Sequence, residues 1–194
     1  MNTAPTTADD IRACARSLII AGGYGSFSYA DIAAVVGIRK ASIHHHFPTK
    51  VDLVRDVVAR YRQDAAAGLA ALQQHVADPV AQLDAYLGYW AACIADGSAS
   101  FCVCALLAAE RPALPPEVAA EVSAHFRSLS SWLAAVLERG AREGRIHLVS
   151  APDIEAEVVM ASVHGAMLAA RAYGDPNMFG AITRPLLARL TTPR

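Results

Sequence analysis

Residues 28–50 read SYADIAAVVGIRKASIHHHFPTK, and two short helices meeting at a glycine can be read from them directly. Ser28 is followed three residues later by Asp31, a capping-box-like start. The hydroxyl satisfies a free backbone N–H, and the carboxylate sits at the positive end of the helix. Ala30, Ile32, Ala33 and Val36 then form an apolar face whose alanines are small enough for a second helix to approach closely. Gly37 ends the helix, because glycine enters the left-handed backbone region without steric cost and suits a sharp corner.

The second helix, expected over 39–47, puts Ile43 and Phe47 on one face and leaves Arg39, Lys40, Ser42, His44 and His45 outward. Pro48 stops it, lacking an N–H and disfavouring helical geometry at Phe47. Thr49, with Asp52 three residues on, caps a third helix that carries Lys50 near its start. Backbone N–H groups and an ammonium there point the same way, which suits a phosphate. The order is that of a helix-turn-helix, and double-stranded DNA is the partner it points to. His44, His45 and His46 are not a metal site on this reading. Consecutive helical residues point about 100° apart and cannot all face one ion.

Over about residues 11–53 the chain resembles the TetR family of bacterial transcriptional repressors, through the stretch FSYADIAAVVGIRKASIHHHFPTKVDL. The resemblance implies that residues 39–45 form the recognition helix in the major groove and that Lys50 is the phosphate-binding lysine. His44 stands where the family more often has a tyrosine that touches phosphate. Lys40 and Ser42 are the expected base or near-base contacts. Ser28, Arg39, Lys40, Ser42, His44, His45 and Lys50 are together the candidate DNA-binding residues.

The chain has 194 residues, 54% hydrophobic and 18% charged, which is apolar for a globular protein and suggests a ligand cavity or a subunit interface. Its net charge of −1 conceals an asymmetry. Residues 1–50 carry five basic and three acidic side chains, a balance of +2; the remainder carries 12 basic and 15 acidic, a balance of −3. The DNA-binding end is therefore N-terminal, and its modest charge calls for two copies acting together. No run approaches the roughly 18 apolar residues that cross a membrane, so a cytoplasmic location with no membrane partner is expected. The four cysteines, Cys14, Cys93, Cys102 and Cys104, have no CxxC spacing, and neither a disulfide framework nor a zinc site is expected. No cofactor motif appears. Without a nucleophile elbow, HExxH or phosphate-cradling glycine loop, enzyme activity is not expected.

Breakers divide the chain into helices with no convincing strand. Thr7 with Asp10 opens the first, which ends near Gly22 and Gly23. A long one runs over 50–76, and Asp78 and Pro79 start the next, to 95. A shorter one covers 100–110, and another ends at Gly144 after Pro112, Pro115 and Pro116. Ser150 with Asp153 starts one that reaches Tyr173, and a terminal helix ends near Leu190. The fold expected is all-α, a nine-helix, two-domain TetR-like arrangement, with a helix-turn-helix domain over 1–50 and a helical effector-binding and dimerisation domain over 51–194.

Ala161, Gly165 and Ala169, beside Ser162, Ala166 and Ala170, form adjacent rows of small residues, and Ile182, Leu186, Leu187 and Leu190 form a larger apolar stripe. These rows serve intrachain packing or a partner helix. The resemblance implies a four-helix homodimer interface, with Ala161, Ser162, Gly165, Ala166, Ala169, Ile182, Leu186 and Leu190 as its candidates. A C2 dimer would read an inverted repeat with half-sites about 34–36 Å apart.

The resemblance further implies an effector cavity. Its candidates on the earlier helices are Tyr86, Tyr89, Trp90, Cys93, Cys102 and Leu106, and on the later ones His125, Phe126, Trp132 and His164. Aromatic walls with a few polar tips suit a small, partly apolar ligand. Some TetR-like regulators carry a cysteine at the beginning of the sixth helix and a glutamate near its end, as Cys102 and Glu110 do. Cys102 or Cys104 is then a redox or electrophile sensor, or both are small core hydrophobes. About 200° apart on a helix, those two cannot pair without unwinding, and Cys93 is the better intrachain partner. The resulting expectation is a dimeric repressor released by its ligand. A thiol-sensing repressor and a non-specific architectural DNA binder are the alternatives.

Overall fold

The computed structural model describes residues 6–191. Among them it contains nine α-helices, two 3₁₀ turns and no strand. The helices are α1 (Thr7–Gly22), α2 (Tyr29–Val36), α3 (Lys40–His46), α4 (Lys50–His75), α5 (Pro79–Ala95), α6 (Val103–Ala109), α7 (Pro116–Arg142), α8 (Pro152–Tyr173) and α9 (Asn177–Thr191). The 3₁₀ turns are Tyr24–Ser26 and Arg111–Ala113. None of the described helices is long and apolar enough to cross a membrane.

Two compact units result. One comprises the chain up to Gln63 together with Val103–His125, the other Asp64–Cys102 together with Phe126 onward. Helices α4 and α7 thus contribute residues to both. In the first unit Ile11, Ala15 and Ile19 of α1, Ile32 of α2, Ile43 of α3 and Leu53, Val54, Val57 and Val58 of α4 are buried. The four isoleucines are wholly enclosed. Each contributes about 1.5–3 kcal/mol relative to an exposed side chain, enough to hold helices as short as α2 and α3, which would not persist alone. The second unit buries Leu83, Leu87 and Trp90 of α5, Leu133, Val136 and Leu137 of α7, Val159, Val163, Ala166 and Met167 of α8, and Phe179 and Leu190 of α9.

The termini of several helices differ from expectation. The N-cap of α1 is Thr6, whose hydroxyl accepts from Asp9 N at 3.3 Å while its own N–H donates to Asp9 Oδ2 at 3.1 Å. The Thr7–Asp10 frame was equally available, but only Asp9 also reaches Arg12, at 2.9 Å, so one carboxylate completes both the box and an ion pair. Helix α3 is one residue shorter at each end than 39–47, with Arg39 and Phe47 as its extended caps. Helix α6 begins at Val103 rather than Ser100, which places Cys102 just ahead of it. Helix α8 starts at Pro152 without a side-chain cap from Ser150. Instead the buried Glu155 reaches back to the N–H groups of Val149 and Ser150, both at 3.2 Å, and accepts from Arg189 of α9 at 3.4 Å.

Candidate nucleic-acid interface and effector site

The corner between α2 and α3 is built from its caps. Ser28 accepts from Ala30 N at 3.1 Å, and its own N–H donates to Asp31 Oδ2 at 2.7 Å. Hydrogen bonds from Ser28 hold the Asp31 carboxyl below the usual carboxylate range. Ser28 is thus committed to the helix start. Gly37, at φ 76°, takes the left-handed position that a side chain would strain, and its N–H closes α2 on Ala33 O at 3.0 Å.

Helix α3 is held from behind. Ile43 is wholly buried, and Tyr29 donates its hydroxyl to the Phe47 carbonyl at 2.9 Å, tying the start of α2 to the end of α3. Burial pushes the Tyr29 phenol up to about 12. Its ring meets the His44 imidazole edge-on at 4.8 Å, and His44 Nδ1–H donates to the Pro48 carbonyl at 3.1 Å. Tyr29 was not singled out in the sequence, although an aromatic between the capping Ser28 and Ala30 is a signal for a packing anchor. On the opposite side Arg39, Lys40, His44 and His45 are exposed and Ser42 is half-exposed. No salt bridge among the described residues engages Arg39 or Lys40. The outer face of α3 and its cap therefore offer two cations outside any salt bridge, a hydroxyl and two imidazoles.

Lys50 lies differently from its neighbours. Thr49 and Asp52 cap α4, Thr49 N–H donating to Asp52 Oδ2 at 3.2 Å and Asp52 N–H to Thr49 Oγ1 at 3.1 Å. Lys50 turns back from that start. Its ammonium donates to the Phe27 carbonyl and lies 4.0 Å from the Phe27 ring centroid and 4.8 Å from that of Tyr24. Burial lowers its pKa from the ordinary lysine value. An ammonium has three donors, so this seat leaves two for another acceptor.

The turn that Lys50 covers is also gripped from α6. Glu110, just past the C-terminus of α6, accepts the Tyr24 N–H at 2.7 Å. Gly23 makes room for it: at φ 86° it lies where side chains are strained, and a Cβ there would stand 1.7 Å from Glu110 Oε1. Arg62 of α4 and Glu121 of α7 pair at 3.1 Å in the same unit. Glu110 was flagged in the sequence by position; its partners, 86 residues away, were not.

The candidate effector residues divide. Tyr86 and Trp132 approach at 5.7 Å between ring centroids, and Phe126 and His164 at 5.3 Å. Trp90 and Cys102 are buried, Cys93 and Leu106 half-buried, and Tyr89, at 56% exposed, points to solvent. His125 is buried against the Tyr61 ring at 5.2 Å in the first unit. A small apolar cavity of about 10 Å³ is lined by Leu83, Tyr86 and Leu87 of α5, Val159 of α8 and Leu186, Leu187 and Leu190 of α9. Leu186 and Leu190, two residues expected at a subunit seam, line this cavity within the chain itself. Ala166 is also wholly enclosed. The exposed apolar row on α8 is instead Ile154, Val158, Ala161, Gly165 and Leu168. Ser162 and Ala169 flank it half-exposed, as does Ile182 on α9. Among the described residues no cluster of His, Cys, Asp or Glu is arranged to hold a metal ion.

Residues 11–57 match the family described as bacterial regulatory proteins, tetR family, and residues 79–186 match the tetracyclin repressor-like C-terminal domain. No curated protein matches. A TetR-family transcriptional regulator from Agrobacterium tumefaciens superposes with a TM-score of 0.93 at 63% identity, over 95% of this chain and 97% of its own. A TetR transcriptional regulator from Legionella pneumophila gives 0.87 at 26% identity, over 97% and 98%. The regulator FadR from Bacillus subtilis, solved in complex with stearoyl-CoA, gives 0.73 at 13% identity, over 93% and 97%, which shows a shared fold. The chain belongs to the TetR family of bacterial transcriptional regulators, DNA-binding proteins without enzymatic activity that carry a helix-turn-helix and a C-terminal ligand-binding domain.

Proposed function

We propose that the protein is a cytoplasmic, dimeric repressor that binds an inverted-repeat operator and is released from it by a small, partly apolar ligand. The functional division is a reader over residues 1–50 and an effector and dimerisation region over 51–194. The observation that carries the reading is the grip of Glu110 on Tyr24 N–H. It puts the end of α6 on the backbone of the turn that leads into the reader helices. A ligand that prefers a different setting of α6 shifts the reader through that bond, and it acts only through its different affinity for the two states.

In this reading Lys40 and Ser42 meet base edges, while Arg39, His44 and His45 meet bases or phosphates. Lys50 meets phosphate with the donors that Phe27 leaves free. Ser28 serves the interface by starting α2 beside it. The dimer seam is the outward row of α8, where Ile154, Val158 and Leu168 are 52%, 42% and 58% exposed around Ala161 and Gly165. Large exposed apolar side chains at i, i+4 and i+14, with small residues between them, form a stripe that a second helix pair covers. Two readers joined there compensate for the low charge of each.

The test is selection of an operator from random DNA with the purified protein, followed by footprinting. An inverted repeat with half-sites about one helical turn apart is expected. Equal protection of unrelated sequences, with affinity set by salt alone, would favour a non-specific binder. A second reading, a thiol-sensing repressor, is favoured by one observation: Cys102 lies close enough to Tyr86 to act on its ionisation, immediately before α6. Both Cys102 and Cys104 are buried, which favours the ligand reading. Treatment with N-ethylmaleimide separates the two, since unmodified Cys102 and Cys104 and unchanged operator binding remove the thiol reading.

A further inference from the structure

Among the described residues, the buried side-chain polar atoms with no hydrogen-bond partner are Gln82 Oε1, the Tyr86 hydroxyl, Trp132 Nε1, and Nε and Nη2 of Arg139. Buried polar atoms are ordinarily paired, and such gaps usually scatter. Here all of them lie on α5 and α7 within one compact unit. Those helices run antiparallel across this region. Asp78, ahead of α5, pairs with Arg145, beyond α7, at 3.3 Å, and about two turns further along α5 the Tyr86 ring meets Trp132. Gln82 and Arg139 both fall between those two pairs along their helices. Gln82 and Tyr86 are four residues apart, Trp132 and Arg139 seven, so each pair shares a helix face. Tyr86 is 6% exposed and Gln82 fully enclosed.

The set is rich in donors. Indole and guanidinium only donate, and the Tyr86 hydroxyl can do so. Nε and Nη2 form one edge of the guanidinium, the edge that holds both oxygens of a carboxylate in parallel hydrogen bonds. Glu143, one turn on, forms an ion pair with Arg139 at 3.9 Å from Nε, too long for a hydrogen bond, so both N–H groups of that edge still lack an acceptor. With Glu143 already near that cation, a doubly charged phosphate would leave more charge unbalanced in a low-dielectric site than a single carboxylate does. Beyond Tyr86 the surroundings turn apolar, at the cavity between α5, α8 and α9. At about 10 Å³ it holds roughly one water, so a ligand enters by parting those helices.

Resting on the effector reading above, we infer that the effector is a monocarboxylic acid with an apolar body. Its carboxylate lies on the Nε–Nη2 edge of Arg139, with Trp132 and Tyr86 donating beside it and the body running towards Leu83 and Leu87. Trp132, one of the chain's two tryptophans, meets the Tyr86 ring, so intrinsic fluorescence reports the site.

The test titrates the full chain with octanoate and phenylacetate and with their neutral isosteres octanamide and phenylacetamide. At least one acid should bind with Kd below about 1 mM and its amide about tenfold more weakly. Arg139→Gln should erase that difference, and Arg139→Lys, which keeps the charge and loses the fork, should retain part of it. The wild-type acid-to-amide ratio decides the question even if a variant fails to fold. Equal binding of acids and amides, with operator release by either, keeps the effector reading and overturns the anionic pole. Failure of all four probes overturns the inference, while operator selection on the same preparation reports separately on the repressor reading.

Discussion

Replacing Gly23 by alanine, alone and together with Glu110→Ala, tests whether the α6 carboxylate grips the reader. Gly23 lies at φ 86° and ψ −172°, a region that is essentially glycine's alone and costs a side chain on the order of 1–3 kcal/mol. In the wild type the new Cβ also falls 1.7 Å from Glu110 Oε1. Glu110 is flexible and yields, but in yielding it releases the Tyr24 N–H that it holds at 2.7 Å. A hydrogen bond to a charged acceptor contributes about 1.5–3 kcal/mol. Gly23→Ala should therefore cost both amounts in the wild type and only the backbone strain when Glu110 is already alanine. The difference, about 1.5–3 kcal/mol, is the coupling, read by urea denaturation of the four proteins. The same cycle read by operator titration should show non-additivity in the same sense, with each 1.4 kcal/mol appearing as about tenfold in Kd if the grip holds the DNA-competent turn. Additivity within about 0.5 kcal/mol in denaturation refutes the grip. Coupling in denaturation but not in operator binding leaves the contact standing and refutes its role in transmission.

Lys50→Met should weaken binding to every DNA sequence and lower the salt slope by about one; an unchanged slope would confine Lys50 to its seat on Phe27 and Tyr24. Tyr29→Phe should cost about 1 kcal/mol and change the alkaline limb of stability. The phenol, ordinarily at 10, is pushed up to about 12 in the folded chain, so the folded state holds its proton longer. The wild type therefore loses stability as pH rises from 10 to 12, and Tyr29→Phe should flatten that loss in denaturation curves; an unchanged slope would show that Tyr29 ionises freely. Gly165→Glu should yield folded monomers in ultracentrifugation, whereas Ala166→Glu should lower the melting temperature first; a stable Gly165→Glu dimer would place the seam elsewhere.

What could be read from the sequence, and what could not, divides along the range of the interactions. Ser28 with Asp31, Gly37, and Thr49 with Asp52 are complete within three residues, so the caps and corner of the reader are legible as written. Even at that range two overlapping Thr-x-x-Asp frames opened α1, and the choice fell to Arg12, which rewards only Asp9. The start of α8 is set by Arg189 and a buried Glu155, 34 residues apart, which no local signal at Ser150 could reveal. The small-residue rows of α8 show the same boundary more sharply. Gly165 and Ala166 are chemically alike and 100° apart on the helix, and periodicity alone assigns neither to the core. The deciding residues are the larger ones on each side: Val159, Val163 and Met167 flank Ala166 inward, while Ile154, Val158 and Leu168 extend the Gly165 row outward. The outward row is more apolar at its ends than a solvated face requires. A helix with apolar residues on opposite sides has two partners to satisfy, its own chain and another. In the proposed dimer that pattern, more than the small residues themselves, sets the seam at Gly165, and charge introduced there tests the assembly while leaving the core intact.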